Sequence, residues 1–176
     1  MATLHEKHKS IFSRIEDQLA ETHFLYVEQR HLQYFNNASA LFGEQCVTAF
    51  SRSKEDINEA GKCLALGLGT ACVFHLMRAM EAAVQMLCEK LKIGDLNTYN
   101  PNKAWGQLLS DMDTAIGKMP KGDARNKWSL AHANLFHVKE AWRNDVMHPK
   151  KTYTEAEAQE VFEPTRVFMA HLASLS

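Results

Sequence analysis

The sequence predicts an all-α protein, an antiparallel helical bundle in a single domain spanning residues 1–176. Apolar residues recur at the three- and four-residue steps of an α-helix along most of the chain, and no segment shows the alternation typical of a half-buried strand. A length of 176 residues with 45% hydrophobic content is ordinary for one globular domain with a sizeable core. We divide the domain into N-terminal helices over residues 1–52 and a core bundle over residues 53–176.

The N-terminal part contains two helical patterns. An amphipathic helix is expected from Thr3 into the twenties. Its apolar positions follow four-residue steps: Ile11, Ile15 and Leu19. The second pattern covers about residues 32–50, and the pair Asn36-Asn37 is its weak point because asparagine competes with helical hydrogen bonding.

The core bundle begins with a helix over about residues 55–66. Ser53 is its expected N-cap, with Asp56 in the first turn. Gly67 and Gly69 bracket the turn that follows.

A buried helix is predicted over residues 71–92, with Thr70 as its cap. Most of its positions are apolar, which is typical of a helix surrounded by others. The steps of three and four run through Val73, Leu76, Met80, Val84, Leu87 and Leu91.

The sequence of the second half of the chain predicts three further helices. A polar loop over residues 93–102 leads into a helix over 102–118, and a loop at 120–123 opens a long helix over about 123–147. The core stripe of this long helix is Trp128, Ala131, Leu135, Val138, Trp142 and Val146. Thr154 with Glu157 forms a capping box for the last helix, and Pro164 should kink or break that helix.

One motif near the C-terminal end can carry chemistry. Arg143 is followed after four residues by His148, and Pro149 comes directly after it. Histidine, with a reference pKa of about 6.5, exchanges protons near neutrality, and arginine holds a phosphate bidentately without titrating. On a regular helix the two side chains would point about 140° apart. They can converge if Pro149 releases His148 from the helix, if a two-fold dimer supplies a second copy of the motif, or both.

The surroundings of the motif are polar and basic. On an α-helix His137 and Asn144 share the stripe of His148, and Lys139 shares a stripe with the arginine. Residues 118–151 contain eight Lys or Arg against three Asp or Glu, although the whole chain has a net charge of −1. The distribution suits an anionic ligand at the motif. The alternatives are a solvated helix face, and a histidine that interacts with the helix dipole.

The segment Ala141 to Thr154, A-W-R-N-D-V-M-H-P-K-K-T-Y-T, resembles the signature of the HEPN superfamily (higher eukaryotes and prokaryotes nucleotide-binding domains). Members are helical bundles whose motif is an arginine, four to six residues and a histidine, often with a polar residue after the arginine; Asn144 matches that position. The segment Ala71 to Ala83, A-C-V-F-H-L-M-R-A-M-E-A-A, resembles an earlier core helix of prokaryotic members. The resemblance extends from about Ala60 onward.

The resemblance implies a metal-independent endoribonuclease that acts as a homodimer, often as a toxin or defence effector, with no cofactor. His148 would act as general acid or base, Arg143 would stabilise the charge of the transition state, and Asn144 would orient His148 or the phosphate, with Asp145 in support. RNA is the implied substrate, and an antitoxin or another protein is a possible partner. Some toxin members carry a tyrosine where this chain has Lys150, which puts control by a nucleotidyltransferase antitoxin in doubt. The alternative is a non-catalytic HEPN-like module that binds RNA or protein.

The buried helix over residues 71–92 carries further candidates. Arg78, Glu81 and Gln85 share a stripe, which indicates an ion pair that fixes the bundle. The functional alternative is that Glu81 or Arg78 lines the cleft of His148. His75 is expected to be a core histidine with its hydrogen bonds satisfied.

Metal, redox and membrane functions find little support. Glu28 and His31 have the spacing used in di-iron bundles, but the chain lacks a second such pair, so we expect no metal. The four cysteines form no C-x-x-C pair and sit in apolar patterns, which favours buried, reduced thiols in a cytoplasmic protein. The N-terminus does not resemble a signal peptide, and we expect no membrane partner because no apolar run approaches 18 residues.

Overall fold

The computed structural model describes residues 3–92, 105–143 and 151–175, and of Trp142 and Arg143 it describes the backbone. Within these ranges all regular structure is helical and no strand occurs, which confirms an all-α bundle. The α-helices of the described ranges are α1 Leu4–Ala20, α2 Leu32–Leu41, α3 Glu44–Ala49, α4 Lys54–Ala65, α5 Gly69–Lys90, α6 Trp105–Lys118, α7 Asp123–Val138 and α8 Glu155–Ala173. Short 3₁₀ turns cover Gln29–His31 and Ser51–Ser53, and a π-helical turn covers Lys139–Arg143.

Helix α5 lies at the centre of the bundle, as its apolar pattern predicts. It packs against α4, α6, α8, the 3₁₀ turn Ser51–Ser53 and the π-helical turn. Eleven of its 22 residues are buried. The predicted stripe is buried from Val73 through Leu87, and Leu91 packs at the edge of the same core.

Helices α2 and α4 pack against each other in opposite directions. The backbone N–H of Ser39 in α2 donates to the Asn58 side chain in α4 (2.8 Å), and Gly61 lies against Ala38. A Cβ on Gly61 would lie 2.5 Å from the carbonyl oxygen of Tyr34, so glycine lets the two helices approach closely. Helix α8 packs against α5 and α3.

Two predicted capping residues use their side chains elsewhere. Ser53 is the N-cap residue of α4, as predicted, but its hydroxyl donates to the carbonyl oxygen of Ala79 in α5 (2.7 Å) instead of accepting a hydrogen bond from its own helix. Thr70 lies inside α5, and its hydroxyl accepts the backbone N–H of Tyr153 (2.8 Å). Both side chains form hydrogen bonds to segments that are distant in sequence, and these tertiary hydrogen bonds replace the local capping bonds.

Other local predictions for the helices are confirmed or corrected in detail. Asn37 has non-helical backbone angles inside α2 (φ −163°, ψ 71°), as the weak point predicted. The capping box of Thr154 and Glu157 is present. Helix α8 continues through Pro164 without the predicted break, so neighbouring packing outweighs the hydrogen bond that proline cannot make.

Helix α1 forms as predicted but contributes nothing to the core. Thr3 and Glu6 close its N-terminus as a capping box, and none of its 17 residues is buried. It makes no substantial contact with another described helix. Its apolar stripe therefore faces outward.

Helix α5 is long and apolar enough to cross a membrane by length and composition, and no other helix of the described ranges meets that criterion. More than half of the apolar stretch of α5 that meets this criterion is buried within the bundle. The core helices of soluble proteins also meet it. Packing against five neighbouring segments accounts for its apolar composition.

Candidate functional site

Arg143 is the last residue of the π-helical turn that follows α7. Asn144, Asp145, His148 and Pro149 lie outside the described residues. The α-helix predicted to run to residue 147 therefore ends as an α-helix at Val138.

The π-helical turn changes the expected alignment of side chains. A π turn closes with hydrogen bonds between residues five apart, so it takes about one residue more per turn than an α-helix. The backbone of residues 139–143 therefore departs from the α-helical course of α7, so the α-helical spacing used for the predicted stripes ends at Val138. Single π turns inside α-helices are rare and occur frequently at functional sites.

The ammonium group of Lys139 makes local contacts and is largely shielded from solvent. Its ammonium group pairs with the Glu140 carboxylate, and its side chain is only 19% exposed. The nitrogen lies 5.7 Å from the centroid of the Phe136 ring. Its stem passes close to Gly106 at the start of α6, where a Cβ would lie 3.5 Å from Lys139 Cε. Lys139 therefore fastens the π-helical turn to α6.

The histidines of α7 have different surroundings. His132 is half-buried, and its Nε2 lies 3.0 Å from the carbonyl oxygen of Leu109 in α6, a geometry in which the ring N–H donates. His137 is exposed, with its ring edge-on to Phe136 at 6.2 Å between centroids. Of the two, only His137 is open to a ligand from solvent.

Arg78 and His75 converge on Asp56 of α4. One carboxylate oxygen of Asp56 lies 2.8 Å from His75 Nδ1 and 2.9 Å from Arg78 Nε. His75 is thus hydrogen-bonded as predicted, but it is half-buried at the α4–α5 boundary instead of in the core. The predicted bundle-fixing ion pair of Arg78 exists with a partner on another helix. Sequence reasoning missed this role of Asp56, since no local spacing links the start of α4 to the middle of α5.

Glu81 is half-buried on α5, the helix against which the π-helical turn packs. The structure therefore brings the helix of Glu81 and the turn of Arg143 into contact. Arg78, three residues before Glu81, is directed to α4 by its pair with Asp56.

The segment after the motif is anchored at the start of α5. Tyr153 donates its backbone N–H to Thr70, and Gly69 lies directly beneath this backbone. A Cβ on Gly69 would lie 2.3 Å from the carbonyl oxygen of Tyr153 and 2.4 Å from that of Thr154. Residues on both sides of the motif, in the turn before it and in the segment after it, thus contact α5.

The basic residues are distributed differently from the prediction of a charged patch at the motif. Lys118, Lys121 and Lys127 are exposed around the turn between α6 and α7, and Arg125 is half-buried there. Helix α7 has 16 residues and so rises roughly 24 Å from this turn to the π-helical turn. Much of the positive charge that the sequence has over residues 118–151 therefore lies at the end of α7 that is far from Arg143.

The remaining candidate groups show structural contacts. Glu28 pairs with Arg30 (2.6 Å), and His31 Nε2 lies 3.4 Å from Glu155. These residues border a surface cavity of about 410 Å³ together with Leu25, Tyr26 and Gly67. No group of three or more His, Cys, Asp or Glu within the described ranges has the proximity that a metal site needs.

The cysteines are free thiols, and three of them are buried, as predicted. Burial raises the pKa of Cys46 to about 11 and that of Cys72 to about 12. Burial also raises the pKa of the half-buried Cys63, and the nearby Glu59 carboxylate adds to this effect. A thiol nucleophile needs its thiolate form, so these three cysteines are poor candidates for catalysis near neutral pH.

Comparison of the chain with protein-family models, with curated proteins and with solved structures found no match. The resemblance of residues 141–154 to the HEPN signature therefore rests on the residues themselves.

Proposed function

We propose that this chain is a metal-independent endoribonuclease of the HEPN type, acting in the cytoplasm as a homodimer. The observation that carries the proposal is that Arg143 closes a π-helical turn packed against the central helix α5. Single π-helical turns occur frequently at functional sites. Arg143 and His148 supply a fixed cation and a proton-exchanging side chain, the two groups that cleavage of a phosphodiester needs.

The proposed reaction is an internal attack on the RNA backbone. His148 accepts the proton of a ribose 2′-hydroxyl, whose oxygen attacks the adjacent phosphorus, while the bond to the 5′-oxygen of the next nucleotide breaks. A proton delivered to that oxygen completes the reaction, so the products are a 2′,3′-cyclic phosphate and a 5′-hydroxyl. General acid–base catalysis of this kind contributes roughly 10²–10⁴-fold.

Arg143 and Asn144 have supporting roles in this reaction. The Arg143 guanidinium stabilises the negative charge that develops on the phosphate oxygens, an effect that is large when the donor is held in place before reaction. Asn144 orients His148 or the phosphate, and Asp145 supports that arrangement. In a homodimer, the histidine of a second copy can serve as the acid while the first serves as the base.

The auxiliary candidates differ in their surroundings. Glu81 is half-buried on α5, the helix that contacts the π-helical turn. His137 is exposed and available to RNA. Lys139 and Arg78 act through structure, since each is paired with a carboxylate.

The proposal is tested by incubating purified protein with mixed RNA in EDTA, beside Arg143→Ala and His148→Ala variants. We expect wild-type cleavage in EDTA and a loss of at least about 100-fold in each variant. Arg30→Ala and His171→Ala are matched controls, since both residues are exposed outside the motif, and they should cleave at the wild-type rate.

The outcomes separate the proposal from its alternatives. Cleavage that both motif variants retain would contradict the assigned site. Wild-type protein that binds RNA without cutting it would instead support a non-catalytic RNA-binding module. Protein that neither cuts nor binds RNA would leave a protein-interaction role of the toxin, defence or housekeeping kind.

A further inference from the structure

Helix α1 exposes an apolar stripe that nothing in the described chain covers. The exposed fractions are Leu4 86%, Ile11 56%, Phe12 53%, Ile15 46% and Leu19 51%. On an α-helix these residues fall within an arc of about 100°, which is the width of a face that normally packs against a partner. An isolated helix of this length is marginal in water, and most helices in proteins are stabilised by packing of such a face. We therefore expect that another molecule packs against this apolar stripe.

The charges of α1 decide between the possible occupants. The helix carries three basic and three acidic residues, so it has no net charge. A helix that binds an anionic membrane surface is typically rich in Lys and Arg on its polar face. Here the two halves of the helix carry opposite net charge instead. The first half has Lys7 and Lys9 against Glu6, and the second half has Glu16 and Asp17 against Arg14.

This segregation is self-complementary for two antiparallel copies. Lys9 and Glu16 lie seven residues apart along one edge of the apolar stripe, beside Phe12 and Leu19. A two-fold axis between residues 12 and 13 places Lys9 of each copy opposite Glu16 of the other. The same axis brings Ile11 of each copy next to Ile15 of the other.

A parallel pairing of the same two helices is disfavoured. In parallel coiled coils the two edges of the apolar stripe face each other across the interface. Lys9 of one copy would then lie beside Lys7 and Arg14 of the other, and like charges repel. The antiparallel arrangement is the one in which both the apolar face and the charged edge are matched.

We propose that α1 is a self-association element, whose apolar face packs antiparallel against α1 of a second copy of this chain. The interface stands on α1 alone and does not depend on the ribonuclease activity. It also differs from a dimer formed through the motif of residues 143–148, so the two surfaces can be tested separately.

The test is analytical ultracentrifugation of the full chain over a range of concentrations. We expect reversible self-association, and Ile11→Asp should raise the dissociation constant of the α1–α1 step by at least about 100-fold, because two copies of an apolar side chain are lost from that interface. Ser10→Asp is the matched control, since it adds the same charge one residue away on the polar face, and it should leave the constant within a few-fold of wild type.

Charge reversal tests the antiparallel register. Lys9→Glu and Glu16→Lys should each weaken the dimer by on the order of 10-fold, and the double variant should restore it, more strongly at low salt. A dimer unaffected by Ile11→Asp would place the interface elsewhere and overturn the proposal. A monomer at all concentrations would overturn it too, as would a monomer that binds anionic phospholipid vesicles through α1. Because none of these readouts involves RNA, failure here is distinguishable from failure of the proposed nuclease.

Discussion

Helices α1 and α5 have the same kind of apolar periodicity, but α5 lies in the core and α1 is exposed. Half of the residues of α5 are buried among five neighbouring segments, whereas α1 has no buried residue. Both have the three- and four-residue steps that predict a helix. The difference shows that periodicity specifies a helix and the face it must cover, but not which molecule covers that face.

The comparison predicts its largest effect for matched leucine truncations. Leu76 in α5 is fully buried, and Leu19 in α1 is 51% exposed. Leu76→Ala should lower the free energy of unfolding by about 2–5 kcal/mol, because it removes buried contacts and leaves a cavity. Leu19→Ala should change it by less than about 0.5 kcal/mol. Urea unfolding at dilute protein concentration measures both, and equal losses would show that α1 belongs to the cooperative core.

A smaller effect is expected at the start of α5, where the chain after the motif is anchored. Gly69→Ala should cost roughly 1–3 kcal/mol, since its Cβ would overlap two backbone carbonyl groups. It should also slow RNA cleavage, because the displaced segment follows directly on the motif.

Gly117→Ala is the control for this substitution. Gly117 lies in α6 with open space where its Cβ would be, so alanine there should stabilise the fold by up to about 1 kcal/mol. If Gly69→Ala left both thermal unfolding and cleavage unchanged, the close packing of α5 on residues 153 and 154 would be contradicted.

The smallest effect concerns the capping box of α8. Thr154→Ala should cost about 1 kcal/mol near neutral pH. The hydrogen bonds that Thr154 donates lower the pKa of the Glu157 carboxyl below its ordinary value of 4.5. A lowered folded-state pKa means that this stabilisation is present above pH 4.5 and is lost as the pH falls through the lowered pKa. The difference between wild type and variant should therefore shrink in acid.

The capping box of α1 provides the contrast. Thr3→Ala removes the hydroxyl that accepts the Glu6 backbone N–H, and leaves the backbone N–H of residue 3 able to bond to the Glu6 carboxylate, in a helix that lies outside the core. Urea unfolding of the bundle should not change, although circular dichroism should report fraying of α1. A pH-independent cost for Thr154→Ala would contradict the role assigned to Glu157.

Local chemistry predicted much of this fold. The capping box at Thr154, the weak point at Asn37 and the buried face of α5 all follow from residues within one turn or one stripe. Ser53 and Thr70 show where this reasoning ends. Both have ordinary capping side chains, but each bonds to a segment more than 20 residues away, and such a partner exists only in the folded chain.

The candidate site was predicted less completely for the same reason. The motif residues are evident from their order and chemistry, but the π-helical turn before Arg143 depends on how that turn packs against α5 and α6. Asp56, which joins His75 and Arg78, has no neighbour in sequence that indicates its role. A local excess of basic residues likewise does not show that much of this charge lies at the opposite end of α7.

The central claim is tested most directly by the ends of the RNA products. Wild-type protein in EDTA should cut an RNA oligonucleotide to fragments with 2′,3′-cyclic phosphate and 5′-hydroxyl ends, identified by mass spectrometry. It should leave intact the same oligonucleotide fully substituted with 2′-O-methyl ribose, because that substrate lacks the attacking hydroxyl. Fragments with 5′-phosphate ends, or cleavage of the substituted RNA, would contradict the mechanism assigned to Arg143 and His148.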